Sequence, residues 1–362
     1  NAIRTQRYDL LLLMSIKQKW DGSEWANDVQ KIYTYDSNNN RTVLLLQDWD
    51  GTEWVDNRQY LTPTYDANNN RMFYLSQNWD GTEWVNIYQN FYTYDANNNM
   101  TIKLRQKWDV STQWMNHYQL TYTYDVNNNQ TRESRQDWDV TQWMNKWHRT
   151  YNYDANNNQT SFLHQYWRNG TQWVNSWQWI YIYDANNNRT SDLYQSWDGT
   201  QWVDASFHTY TYDANNNRTS DLYQSWYHPH WMNVRQYTYT YDANNNMTIE
   251  LRQKWDDTQW VNDRQYTYTY DANNNQTGFL SQDWGGTQWV NESQITYTWG
   301  QPLAVDEGLS VPKFYTLHHN YPNPFNPTTT LRFDLPEVSD ITLTIYNMLG
   351  QKVRTFNYQN TS

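Results

Sequence analysis

The chain contains no cysteine, which removes disulfides and thiolate chemistry together. It contains no run of ~20 apolar residues, so no segment reads as a membrane-spanning helix. Stretches rich in Lys and Arg are also missing, and the 362 residues carry a formal net charge of −12. Binding to a nucleic-acid backbone needs a basic surface, so that class is not expected. Leu, Ile and Val are sparse, which argues against a compact domain with an aliphatic core. The histidines are scattered (His117, His148, His164 and His208, with His228 and His230 flanking Pro229), and no His or carboxylate cluster has ligand spacing. Acids recur in the same place in every repeat, as structure repeats, whereas a catalytic constellation usually occurs once. No enzyme is expected, and no cofactor or metal site. Asn1 opens the chain without Met or an apolar leader, as in a processed or partial chain.

What the chain has instead is 24 Trp and 33 Tyr, distributed in a repeat of 29 or 30 residues. A Tyr-Asp pair begins at Tyr35, Tyr65, Tyr94, Tyr124, Tyr153, Tyr183, Tyr212, Tyr241 and Tyr270, and a Trp follows each of these tyrosines by fourteen residues. Extra residues enter only elsewhere, between paired Trp residues or beside Pro63. A segment of fixed length flanked by tolerant joints reads as one rigid supersecondary unit.

Period-two alternation in Tyr, Trp and Thr makes that unit a β-hairpin. Strict alternation from Trp260 to Tyr270 would put Trp260, Tyr266, Tyr268 and Tyr270 on one face, and Val261, Asp263, Gln265, Thr267 and Thr269 on the other. Asp-Ala-Asn-Asn-Asn is a turn of residues that tolerate the left-handed conformation and bond their own backbone. The second turn, Trp-Asp-Gly-Thr-Glu-Trp at 49–54 and 79–84, sets two Trp side chains opposite each other as a cross-strand staple. After Trp20 and Trp25, the staples are Trp49 and Trp54, Trp79 and Trp84, Trp108 and Trp114, Trp138 and Trp143, Trp167 and Trp173, Trp197 and Trp202, Trp226 and Trp231, Trp255 and Trp260, and Trp284 and Trp289.

Tyr210-x-Tyr-Asp-Ala-Asn-Asn-Asn-Arg-Thr219 resembles the YD repeat of RHS and YD-repeat proteins, whose motif runs Tyr-Asp-x-x-Gly-Asn-Arg-Thr. The resemblance covers about ten residues of each unit, has Asn216 where that family usually has Gly, and leaves out the Trp half. It implies antiparallel hairpins strung into a long coiling sheet, and carries over no toxin-shell function.

The expected architecture is all-β: a long antiparallel meander of tandem hairpins coiling into an elongated ribbon or tube, with a parallel β-solenoid as the alternative. About twenty strands at ~4.8 Å would make a ribbon ~95 Å long, and its aromatic face would need a cover from coiling, another chain or a ligand. Residues 1–30 read as a degenerate first repeat, in which Leu10–Leu13 replace the Asn run. That strand either packs locally or presents an edge to another subunit. Residues 31–300 are the regular array.

Three repeated features invite chemistry. Gln precedes the first Trp of each pair by two positions in all ten copies, from Gln18 to Gln282; a buried amide needs partners, so these should form a polar seam or, alternatively, face sugar. The third Asn of the run opens Asn-x-Thr at Asn40, Asn99, Asn129, Asn158, Asn188, Asn217, Asn246 and Asn275. That is formally the N-glycosylation acceptor, although copied repeats are not independent observations. Asp-x-Asn-x-Asn in the same turn resembles the opening of a calcium loop but lacks the later Gly and Glu, so turn chemistry is the expected reading.

Residues 301–314 read as a linker. Residues 315–362 follow, with Tyr321-Pro-Asn-Pro-Phe325 and later Tyr346-Asn-Met-Leu-Gly-Gln-Lys-Val353. This stretch is similar to the C-terminal sorting domain (type A) of the type IX secretion system. The resemblance implies a partial Ig-like β-sandwich, handling by that secretion machinery, and a place outside or on the surface of a Gram-negative cell. That family's domain normally has further strands, and a neighbour's Leu-rich N-terminal strand is one candidate to complete it. The functional expectation is the subunit of an extracellular fibre, self-associating head to tail through β edges. A carbohydrate-binding surface adhesin using the Trp and Tyr face is the alternative, and a passive spacer the third reading.

Overall fold

A computed structural model describes residues 10–62, 64–109, 113–300, 316–317, 333–334, 339–346 and 352–361. The chain divides into two units, Asn1–Pro302 and Leu303–Ser362. The insertion at Pro63, the 301–314 linker and the Tyr321–Phe325 motif lie outside the described residues.

The first unit is a succession of strands: β1 (Leu11–Trp20), β2 (Trp25–Tyr35), β3 (Arg41–Trp49), β4 (Trp54–Leu61), β5 (Phe73–Trp79), β6 (Trp84–Tyr94) and β7 (Met100–Asp109). Next come β8 (Gln113–Tyr124), β9 (Gln130–Trp138), β10 (Trp143–Tyr153), β11 (Gln159–Arg168), β12 (Gln172–Tyr183), β13 (Arg189–Trp197) and β14 (Trp202–Tyr212). The array ends with β15 (Arg218–Tyr227), β16 (His230–Tyr241), β17 (Met247–Trp255), β18 (Trp260–Tyr270), β19 (Gln276–Trp284) and β20 (Trp289–Gly300). Each pairs antiparallel with the strand before it and the strand after it.

The last strand also pairs with the first. β1 and β20 run antiparallel from Leu11↔Gly300 to Lys19↔Ser293, with Ile16 opposite Thr296. The twenty strands therefore form a closed barrel, which corrects both expected architectures. An open ribbon would leave a row of unpaired N–H and C=O groups at each end; the seam satisfies both rows at once. A solenoid would need parallel ladders, and every ladder here is antiparallel. The Leu-rich strand is paired on both sides within its own chain, so it is neither an open edge nor a donor to a neighbour.

The expected single aromatic face is also corrected. In β18, Asn262 pairs with Gln253 but Arg264 pairs with Arg252, so Asp263 is an extra residue. A bulge of this kind shifts the alternation by one. Trp260 and Asn262 share a face with Leu251 and Gln253, while Tyr266 and Tyr268 share the opposite face with Glu250 and Arg252. Corresponding register shifts recur in the hairpins along the array, for example at Arg105/Gln106 and Gln195/Tyr194. The wall thus has a Trp-Gln face and a Tyr face, and the aromatic area is shared between them.

Tyr92 and Tyr210 are the buried hydrophobic side chains among the described residues. With so little apolar core, the barrel rests on its ladders, its cross-strand ring pairs and its turns. In the second unit the described residues form two separate antiparallel pairs, β21 (Thr316–Leu317) with β22 (Phe333–Asp334), and β23 (Ser339–Tyr346) with β24 (Lys352–Thr361).

Candidate functional site

At one rim each hairpin ends in a Trp turn. Asp50 Oδ1 accepts hydrogen bonds from the Thr52 and Glu53 amides and from the Thr52 hydroxyl, and Gly51 supplies a φ of 106° that a side chain would resist. Those amides hold the Asp50 carboxyl below its ordinary range. The paired indoles stand 4.9–5.3 Å apart between centroids in all ten hairpins, tilted or edge to face. Every Trp expected in a staple is in one, and together they belt the Trp-Gln face.

Two residues in from the belt runs a ring of amides. Gln18, Gln77, Gln106, Gln136, Gln165, Gln224, Gln253 and Gln282 donate through Nε2 to the Oδ1 of an Asn on the facing strand at 2.8–3.0 Å. Gln47 and Gln195 donate to Asp56 and Asp204 in the same place. Between hairpins the ring continues through Gln59 to Gln77, Gln89 to Gln106, Gln119 to Gln136 and Gln178 to Gln195. Across the seam Gln294 donates to Gln18. His148 replaces Gln at one station, accepting from Arg132 at Nδ1 and donating from Nε2 to Gln165; burial holds its pKa down. Phe207 replaces it at another.

The polar ring is therefore built as the sequence suggests, but it leaves capacity unused. The Nδ2 groups of Asn27, Asn86, Asn116, Asn145, Asn175, Asn233, Asn262 and Asn291 donate to no acceptor among the described residues, and none of them is a buried unpartnered atom. Beside Trp108 and Asn116, a pocket of about 270 Å³ opens between Lys107, Asp109, Met115 and His117.

The other rim carries the Asn turns. Asp213 Oδ1 accepts from the Asn215 and Asn217 amides, and Oδ2 from Asn217 Nδ2. Asn216 sits at φ 62°, the left-handed position where the YD motif has Gly. Three hydrogen bonds to the carboxylate thus come from its own turn. Asn217 Nδ2 also donates to Asn245 of the next repeat. The same link joins Asn40, Asn99, Asn129, Asn158, Asn188 and Asn246 to their neighbours. The nitrogen that a glycan would occupy thus carries two hydrogen bonds at those sites, and one at Asn275.

The Tyr face was not legible as a site. The Tyr of each Tyr-Asp pair reaches back to the preceding repeat, for example Tyr212 Oη to the Arg189 carbonyl at 2.7 Å and Tyr241 to Arg218 at 2.8 Å. Between these latches, Arg side chains lie over Tyr rings. His164 stacks on Trp177 at 4.7 Å and 9°, and burial holds its pKa down to about 4. Burial raises the Tyr151 phenol to about 12. The tyrosines follow the second Trp at even spacing, as Tyr266 follows Trp260 by six, so alternation alone puts them on one face and only the bulge at Asp263 separates them.

Comparison with known proteins bears on the second unit most directly. Residues 319–362 match the family described as Secretion system C-terminal sorting domain. The protein is therefore secreted or held at the cell surface by type IX secretion. No curated protein matches the chain. Among solved structures, it is similar to a DUF3836 family protein from Bacteroides vulgatus, at 30% identity over 23% of this chain and 89% of that one, with a TM-score of 0.21. A porin-like protein from Bacteroides uniformis aligns at 11% identity over 79% of this chain and 95% of its own, with a TM-score of 0.33. The Tc holotoxin pore of Photorhabdus luminescens aligns at 10% identity over 95% of this chain and 23% of its own, with a TM-score of 0.26.

Proposed function

We propose that this secreted barrel is a non-catalytic surface protein that binds polysaccharide along its Trp belt. The observation that carries the reading is the pairing of half-buried indoles with unspent Asn amide donors two residues away, about 6.6 Å along the strand. A pyranose ring stacks its C–H face on an indole while its hydroxyls accept from a nearby amide. The unit recurs in eight of the ten hairpins, with Asp56 and Asp204 in place of the Asn in the other two, and hairpins follow one another about every 9.6 Å around the wall, so a chain of sugars meets successive platforms and gains from multivalency. Amides on one face and charges on the other also suit a wall wetted on both sides, since a lipid-facing barrel carries an apolar band.

Titrating the intact secreted protein with a soluble neutral β-glucan while following Trp fluorescence tests this. Saturable quenching or shift that weakens in Asn262→Ala and Asn291→Ala supports it; an unresponsive spectrum across a panel of neutral glycans contradicts it. The fibre remains the second reading. Closure occupies both end strands of the barrel, so head-to-tail pairing would run instead through the β23–β24 hairpin, whose described partners are only each other. Electron microscopy of the native secreted material separates fibres from discrete particles.

A further inference from the structure

In a chain of net charge −12, several cations on the Tyr face have an acid beside them. Lys17 and Lys19 meet Asp28, Arg149 meets Glu133, Arg252 meets Asp263, and Arg264 meets Asp283. Arg58, Lys107, Arg218 and Arg235 on this face stand without an ion pair among the described residues. Arg71, just ahead of β5, and Lys103 and Arg105 on β7 do so as a group of three.

The three are brought together by register and by aromatic rings. Lys103 pairs with Tyr92, and Arg105 pairs with Asn90 on one side and Tyr118 on the other. The Arg71 guanidinium lies 4.9 Å from the Tyr92 ring centroid and 5.1 Å from that of Tyr74. That of Arg105 lies 4.0 Å from Tyr88 and 5.1 Å from Tyr118, with its Nε donating to the buried Asn90 at 2.9 Å. Cation–π contacts fix where the guanidinium planes sit but do not cancel their charge. Burial, then Arg105 and Arg71, hold the Lys103 ammonium below its ordinary range, with Glu133 opposing more weakly. All three side chains are half-buried, so they are held in place and still reached from solvent. Arg71 is 32 residues from Lys103 in sequence, so no single basic run announces the group of three.

We propose that Arg71, Lys103 and Arg105, framed by Tyr92 and Tyr118, bind the anionic group of an acidic polysaccharide, a carboxylate or sulfate on the sugar. Two guanidiniums and an ammonium offer converging donors to such an oxyanion, and the Tyr92 and Tyr118 rings seat the guanidiniums that face it. The sugar half of this inference rests on the polysaccharide reading above; the anion half stands on the uncompensated charge.

The test is isothermal titration of the full chain with polygalacturonate, with neutral β-glucan and with sodium sulfate. Wild type should bind polygalacturonate saturably at low salt, weakening as salt rises. The double variant Lys103→Gln with Arg105→Gln should lose about tenfold or more in that affinity with its neutral-glucan response unchanged, while Lys103→Arg should retain binding. Circular dichroism of each variant establishes that it folds. Unchanged polygalacturonate affinity in the folded double variant overturns the site, as does an absence of binding by wild type. Sulfate competing as well as the polymer, mole for mole of anion, overturns the polysaccharide class. Polygalacturonate binding that needs Arg105 while neutral glucan gives no response upholds this site and removes the Trp-belt reading.

Discussion

The two rims of the barrel are built on opposite plans. At the Trp rim, contacts are within a hairpin: each indole pairs with the one five or six residues on, and each Asp bonds its own turn. At the Asn rim, contacts are between hairpins: Tyr212 latches to Arg189 of the preceding repeat, and Asn217 bridges to Asn245 of the following one. One rim makes hairpins and the other joins them. This accounts for where the repeat tolerates extra residues. Trp108 to Trp114 and Trp167 to Trp173 each hold one more residue than the other pairs, and their rings still meet at 5.0 and 4.9 Å, because a longer Trp turn disturbs nothing beyond itself. The extra residue beside Pro63 falls on the joining side, and there the β4–β5 ladder shrinks to the four pairs from Arg58↔Asn78 to Leu61↔Leu75.

Acid should act on both rims at once and have the largest effect. Turn aspartates at both ends, among them Asp50, Asp80, Asp139 and Asp198 at one and Asp66, Asp95, Asp213 and Asp242 at the other, have pKa values lowered by the amides they accept from. A carboxyl depressed on folding stabilises the fold above its unfolded value near ~4 and loses that contribution as pH falls through the folded value. Asp192 and Glu250, raised by burial, work the other way but are few. Circular dichroism against pH should therefore show strand signal collapsing below about pH 4; a flat profile would mean that the turns contribute little.

Single-residue insertions sharpen the contrast between rims. A Gly inserted between Asn215 and Asn216 breaks links to both neighbours and should cost about 3 kcal/mol at ~1 per hydrogen bond. The same insertion between Asp198 and Gly199 lengthens a self-contained turn and should cost under about 1 kcal/mol. Equal costs by chemical denaturation would erase the distinction. Trp197→Ala removes half of a staple and should cost about 2 kcal/mol, with hydrogen exchange quickening in its own hairpin first. Tyr212→Phe removes one latch, for about 1 kcal/mol, with exchange quickening at the β12–β15 junctions instead. Val140→Gly has the smallest effect and the opposite sign. Val140 sits at φ 84° where other turns have Gly and is 71% exposed, so relief of that strain should raise stability by about 1 kcal/mol.

The parts that were legible in the sequence are those a hairpin settles alone. Asn-Asn-Asn marks a left-handed turn because Asn39 and its copies tolerate φ near 64°, and Trp at both ends of Asp-Gly-Thr-x marks a staple because the loop length sets the two opposite. Faces and closure were not legible for the same reason. A bulge residue such as Asp263 looks like any other polar residue in an alternating run, yet it exchanges the faces of everything after it. Closure depends on twist summed over twenty strands, and no local run of residues encodes that sum. The Trp belt and its Gln neighbours could be seen because they repeat; Arg71, Lys103 and Arg105 could not, because only pairing gathers them.

Closure is the claim on which the rest depends, and the absence of native cysteine makes it directly testable. Ile16 and Thr296 face each other across the seam, so Ile16→Cys with Thr296→Cys places two thiols on paired positions. Mild oxidation of the dilute double variant should give an intramolecular disulfide in the monomer, seen as faster migration without reductant and as a cross-linked peptide by mass spectrometry. Thiols that stay free, or that link only between molecules, would contradict a closed barrel and return the chain to an open sheet joined end to end.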